Sequence, residues 1–203
     1  EYVWDLEDEM NWDGTLNLFR IDIEQGNDQT IDVDYMRFYG DYETELTEEE
    51  IANRFDSMEK EEDGYVWNFN INNTRDGWKF SKSVADVAVD GGQISMNVIA
   101  PNAEMTALGN LDLNAEDIKH IKIRMKTDVN AKNAVLKFVT DSDGEYSADK
   151  QFNIALSGGN TAEEYVIKTA DNANWKGKIK GLKLVPSDGK GSVSIDYIKL
   201  SFR

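Results

Sequence analysis

From Asn174 to Leu200 the chain reads NWKGKIKGLKLVPSDGKGSVSIDYIKL, and from Asn11 to Phe38 it reads NWDGTLNLFRIDIEQGNDQTIDVDYMRF. The two stretches belong to one repeated motif. Glu1–Asp28 aligns without a gap on Glu164–Gly191, and one extra residue, Gln29, restores register through Tyr35 and Tyr197. Asn11-Trp12, Gly14, Gly26 and Asp34-Tyr35 match Asn174-Trp175, Gly177, Gly189 and Asp196-Tyr197, and the apolar residues between them correspond. The motif decodes as strand, Asn/Asp-rich loop, strand, turn and strand. Ile179, Leu182 and Leu184 alternate after a slip at Gly181, which predicts a β-bulge there. The Ser-Asp-Gly turn then feeds a last strand, in which period-two alternation puts Val193, Ile195, Tyr197 and Lys199 on one face.

Working outward, the same patterning makes a whole domain before the second copy. Tyr65–Asn70 alternates as an opening strand, and Gln93–Ile99 follows the Asp90-Gly91-Gly92 turn. Asn114 caps a short helical turn. His120–Lys126 sets Ile121, Ile123 and Met125 against Lys122, Arg124 and Lys126, and Ala134–Thr140, Gln151–Ala155 and Tyr165–Lys168 follow. About eight strands at this spacing predict an all-β, two-sheet antiparallel sandwich over residues 65–203. Residues 1–40 read as the closing strands of a preceding, incomplete module. Its completion would come from a longer parent chain or another chain, or else these strands add to the second sandwich. Residues 41–64 read as an acidic linker. There Thr47 and Glu50 make a capping box, and Ile51, Phe55 and Met58 share one face of a short amphipathic helix.

Charge excludes one class of partner. The formal net charge is −17. Residues 1–64 hold 22 Asp/Glu against 4 Lys/Arg, whereas 65–203 are nearly balanced, 17 against 18. No basic stripe exists to displace counterions from a phosphate backbone, so nucleic acid is not a partner. No apolar run is long enough to cross a membrane as a helix, which predicts no membrane insertion. There are no cysteines and one histidine, His120, which is expected to cap the turn before its strand. Nucleophilic and metal-redox catalysis therefore have almost no material, and no pair of carboxylates is placed across a cleft.

WNFNINNTRDGW (67–78) together with the quoted ending resembles the jelly-roll, galactose-binding-like carbohydrate-binding modules of secreted or cell-surface bacterial glycoside hydrolases, which occur in tandem. The resemblance implies a non-catalytic module that targets a glycoside hydrolase to a glucan, mannan or xylan, outside the cell or on its surface. Tandem copies would raise a modest affinity per site. It also implies a structural calcium ion where the first strand meets the last, with Asn70 and Asp196 as candidate ligands. The alternative is a calcium-stabilised spacer of a surface protein, in which residues 1–40 complete a neighbouring module.

Sugar recognition in water needs flat aromatic faces beside planar polar groups. Trp78, after Asp76-Gly77, and Trp175, after Asn174, stand at loop–strand junctions and are the expected stacking platforms; the competing role is capping the core. Arg124 on the charged face of its strand, Gln151 with Asn153 opposite Phe152 and Ile154, and Tyr146 in the loop DSDGEYSADK are the expected polar and aromatic partners. For Arg124 the competing role is an exposed ion pair, and for Tyr146 a loop anchor. Asp141, Asp143 and Glu145 form a second, shorter candidate set for calcium.

Overall fold

The computed structural model describes residues 58–72, 74–107, 111–128 and 130–203. The expectations for residues 1–40, and for a linker helix up to residue 57, lie outside them. In chain order the strands are β1 Glu59–Glu61, β2 Gly64–Trp67, β3 Trp78–Phe80, β4 Val84–Asp90, β5 Gln93–Val98, β6 Met105–Ala107 and β7 Leu113–Asn114. After a 3-10 turn at Ala115–Asp117 come β8 His120–Thr127, β9 Asn133–Thr140, β10 Gln151–Ala155 and β11 Glu163–Lys168. A second 3-10 turn, Thr169–Asp171, precedes β12 Lys178–Val185 and β13 Gly191–Ser201. All the pairings are antiparallel, and they form two sheets packed as a β-sandwich.

The last strand organises the seven-stranded sheet. Along one edge of β13, residues 191–195 pair with β5 and residues 198–201 pair with β2, so β2 and β5 lie end to end. Its other edge pairs with β8, and β8 pairs with β11. The six-stranded sheet runs β10-β9-β12-β6-β3, with β7 also on β12. The domain begins earlier than the sequence suggests. Glu59–Glu61 already pair with β2, and Met58, expected on the linker helix, packs against the core instead.

Alternation explains the core. Ile121, Ile123 and Met125 of β8 are buried, as are Leu136 and Phe138 of β9 and Phe152 and Ile154 of β10. The bulge expected at Gly181 is present as a register shift between Ile179 and Gly181. A second bulge corrects the reading of β13. The register shifts between Ile195 and Tyr197, so the inward set is Val193, Ile195, Ile198 and Leu200, while Tyr197 and Lys199 turn to the outer face. One extra residue reverses every later side chain. Asn114 precedes the first 3-10 turn, but its side chain bonds Asp117 at 3.1 Å rather than capping the backbone.

Candidate functional site

The residues expected to act together fall into three separate places. The first is the core. Trp78 is 2% exposed and Trp175 is 8% exposed, so neither is a solvent-facing platform. Trp78 on β3 meets Trp67 on β2 edge-to-face, with centroids 5.1 Å apart, and the pair joins the two sheets. The loop before Trp78 turns inward because its polar groups satisfy one another. The Asp76 carboxylate accepts from the Phe69 amide at 3.0 Å and from the Thr74 hydroxyl at 2.8 Å. The indole N–H of Trp78 has no hydrogen-bond partner among the described residues.

Trp175 packs on Phe138 and Phe152, and its Nε1 donates to the Ala115 carbonyl at 3.0 Å. The residues around it are architectural too. Asn172 and Asn174 donate to the Asp149 carbonyl. Gly177 has φ +71°, and a Cβ there would lie 2.7 Å from an Asp141 oxygen. Asn174-Trp175-Lys176-Gly177 therefore forms a corner of the sandwich, and a buried indole ordinarily has its N–H bonded in this way.

The second place is the outer face of the seven-stranded sheet. Because β2 ends at Trp67 and β5 begins at Gln93, a gap opens along β13 opposite its bulge. It forms a groove of about 700 Å³ lined by Asn68, Asn70, Gln93, Asp196 and Tyr197, among others. Asn70 and Asp196, the expected calcium pair, do meet here. Calcium takes six to eight oxygens, but the Asp196 carboxylate faces the Arg124 Nε at 2.6 Å. No group of three or more His, Cys, Asp or Glu is gathered to hold a metal among the described residues. Of the two candidates, Asp196 is thus engaged by Arg124, and Asn70 is a neutral group.

Arg124 is thus an exposed ion-pair member, and its pairing with Asp196 holds the guanidinium even more firmly protonated. Two of its neighbours on this face are also engaged. The Tyr197 hydroxyl donates to Glu164, and Lys199 is shared by Glu61 at 2.6 Å and Asp63 at 2.8 Å. Burial, then the contact with Glu164, pushes the Tyr197 phenol up to about 12.

The third place is the outer face of the six-stranded sheet, where Gln151 and Tyr146 come together. Register puts Gln151 opposite Lys137, Lys137 opposite Lys183, Lys183 opposite Thr106, and Thr106 opposite Lys79. Five strands thus carry one continuous row of polar side chains, about 19 Å long at the usual strand spacing of about 4.8 Å. Asn153 lies two residues from Gln151 on the same face and accepts from it at 3.4 Å.

Tyr146 stands half-buried at the edge of this row. Its hydroxyl lies over Gly181, where a Cβ would approach it to 3.0 Å, and the Lys183 ammonium sits 4.5 Å from its ring centroid. Burial, reinforced by the charge of Glu104, pushes its phenol up to about 12. The loop carrying it is pinned by Lys150, whose side chain is 7% exposed and pairs with Asp143. That hydrogen bond is the main reason the Asp143 carboxyl sits below its ordinary range. Asp141 meanwhile accepts from the Lys178 amide at 3.2 Å. Two carboxylates of the second candidate calcium set, Asp141 and Asp143, are therefore engaged by Lys178 and Lys150.

Sequence reasoning missed Lys137, Lys183, Glu104 and Tyr197. The first two were legible as the outward members of VLKFV and KGLKL, but which sheet they share depends on pairing across long sequence separations.

No protein family matches the sequence, and no curated protein matches it. Among solved structures the chain is similar to "BiXyn10A CBM1 APO" at 9% identity and a TM-score of 0.48, over 70% of this chain and 99% of that one. It is similar to the non-crystalline-cellulose-specific carbohydrate-binding module CBM28 at 16% identity and 0.46, over 70% and 94%. It is also similar to CsCBM6-3 from Clostridium stercorarium in complex with cellobiose, at 17% identity and 0.44, over 64% and 92%. The sandwich and its two faces described above rest on the strand pairing of this chain itself.

Proposed function

We propose that this sandwich is a non-catalytic polysaccharide-binding module and that it takes its glycan on the outer face of the six-stranded sheet. The observation that carries the reading is the row from Gln151 to Lys79, with the Tyr146 ring at its edge. An open sheet face suits an extended polymer, because successive sugar units can lie across successive strands. Amide and ammonium groups at fixed spacing bond hydroxyls, and a half-exposed phenol ring gives an apolar surface for a pyranose. The finer reading, a targeting appendage of a secreted or cell-surface glycoside hydrolase, rests on the sequence resemblance.

Native affinity electrophoresis of the whole chain in gels containing xylan, mannan, β-glucan or polygalacturonate tests it. At least one polysaccharide should retard the protein, and Tyr146→Ala should remove most of that retardation while Tyr197→Phe, on the opposite face, leaves it unchanged. No retardation by any glycan, or equal retardation of Tyr146→Ala and the parent, would sink the proposal.

A further inference from the structure

The polar row on the six-stranded sheet has an electrostatic peculiarity that hydroxyl recognition does not require. Lys137 and Lys183 are direct cross-strand partners, and like charges in that position destabilise a sheet. A single carboxylate, Glu104, lies between them, 4.0 Å from Lys137 and 3.1 Å from Lys183. All three side chains are largely covered, at 30%, 20% and 27% exposure. Lys79 continues the row two strands on. Residues 65–203, which carry this face, are nearly balanced, 17 Asp/Glu against 18 Lys/Arg, so two lysines on one glutamate are not a by-product of a basic domain. On the other sheet Lys199 also lies opposite a lysine, Lys122, but there two carboxylates, Glu61 and Asp63, contact Lys199. In the repeat, Arg20 occupies the position of Lys183, so the cation is kept there while Gly181 is replaced by Leu18.

We propose that the polysaccharide bound by this face is anionic and bears uronate carboxylates, received between Lys137 and Lys183 at the place Glu104 partly fills. This rests on the six-stranded face being the binding surface. Glu104 shows how the two ammonium groups hold a carboxylate, and it leaves one positive charge of the pair uncompensated. A uronate would supply the missing charge, and Tyr146 beside Lys183 would cover one face of its ring. The half-covered setting strengthens such contacts relative to open water.

The test uses the whole chain with polygalacturonate, a neutral β-glucan and dextran sulfate, by calorimetry at about 20 mM and about 500 mM salt. Polygalacturonate should bind most tightly and weaken about tenfold or more at high salt. The double substitution Lys137→Met/Lys183→Met should lower its affinity about tenfold and lower any β-glucan affinity by a smaller factor. Glu104→Gln, which removes the competing carboxylate, should raise the affinity several-fold. Binding of β-glucan as tight as polygalacturonate, an unchanged affinity in the lysine variant, or no gain in Glu104→Gln overturns the proposal. Equal binding of dextran sulfate overturns the carboxylate assignment. If a neutral glycan binds at least as tightly as polygalacturonate and does so in a Tyr146-dependent way, the binding face stands and only its charge preference falls. If no glycan binds at all, both fall.

Discussion

The two outer faces of the sandwich are built from similar materials to different ends. On the seven-stranded sheet the groups around the groove are paired: Arg124 with Asp196, Lys199 with Glu61 and Asp63, and the Tyr197 hydroxyl on Glu164. On the six-stranded sheet two lysines oppose each other across one glutamate, amides stand beside them, and Tyr146 rests at the edge over a glycine. The first face has a groove, yet Arg124, Asp196 and Lys199 along it are occupied. The second is open and has charge to spare. Concavity alone is therefore a poor guide to the binding surface in this fold; unspent hydrogen-bonding and charge capacity is a better one.

The largest effect should come from the layer between the faces. Trp78→Ala removes a fully buried indole that joins the sheets and should cost about 3–5 kcal/mol of stability, measured by urea denaturation. A loss of glycan binding without a loss of stability would instead restore Trp78 as a contact residue and break the contrast drawn here. Next comes Tyr146→Ala, expected to weaken glycan affinity about tenfold, ~1.4 kcal/mol, with little change in melting temperature. A smaller change is expected from Gly181→Ala, whose new methyl would press on the Tyr146 hydroxyl. It should weaken binding by a few-fold, and unchanged binding would show that the ring's position over Gly181 is immaterial.

Smaller still, a double-mutant cycle between Arg124 and Asp196 should return a coupling near zero, since the pair is exposed and screened. A larger coupling would mean that the seven-stranded face holds the fold in a way its exposure does not suggest. The pH response should be just as modest near neutrality. Asp188 lies below the ordinary carboxylate value of 3.8, first because the Lys132 amide donates to it and then because of Asn133. Asp63 is lowered chiefly by its hydrogen bond from Lys199, and Asp112 by that from Lys180. Each is ionised more readily folded than unfolded, so its stabilising contribution is complete above pH about 4 and is lost as pH falls through the lowered folded value. Melting temperature should be level from about pH 8 to about pH 5 and drop below about pH 4. A fall already complete at pH 5 would contradict these assignments.

Much of the fold was legible beforehand. The alternation of HIKIRMK became β8 with Ile121, Ile123 and Met125 inside, and the slip at Gly181 became a bulge. The short strands β3, β4 and β6 escaped notice because three to seven residues interrupted by polar ones leave little periodicity to see. The face of Tyr197 and Lys199 was misread because Asp196 carries no local sign of a bulge. Of the expected site residues, Gln151 and Tyr146 came together on one face and Arg124 went to the other. The two tryptophans went to neither. An aromatic residue just after a turn has the same local signature whether it points to solvent or to the core.

The amino-acid order alone determined an antiparallel, strand-and-turn chain with an internal repeat, because alternation and turn chemistry act over a few residues. Only the tertiary structure decided which faces those strands share and where the indoles go. Trp175 is inside because the Ala115 carbonyl, 60 positions away, receives its N–H, and Trp78 because Asp76 folds the preceding loop inward. Lys137 and Lys183 become neighbours through hydrogen bonds between strands far apart in sequence. Burial and cross-strand register are properties of the assembled sheets, and no window along the chain contains them.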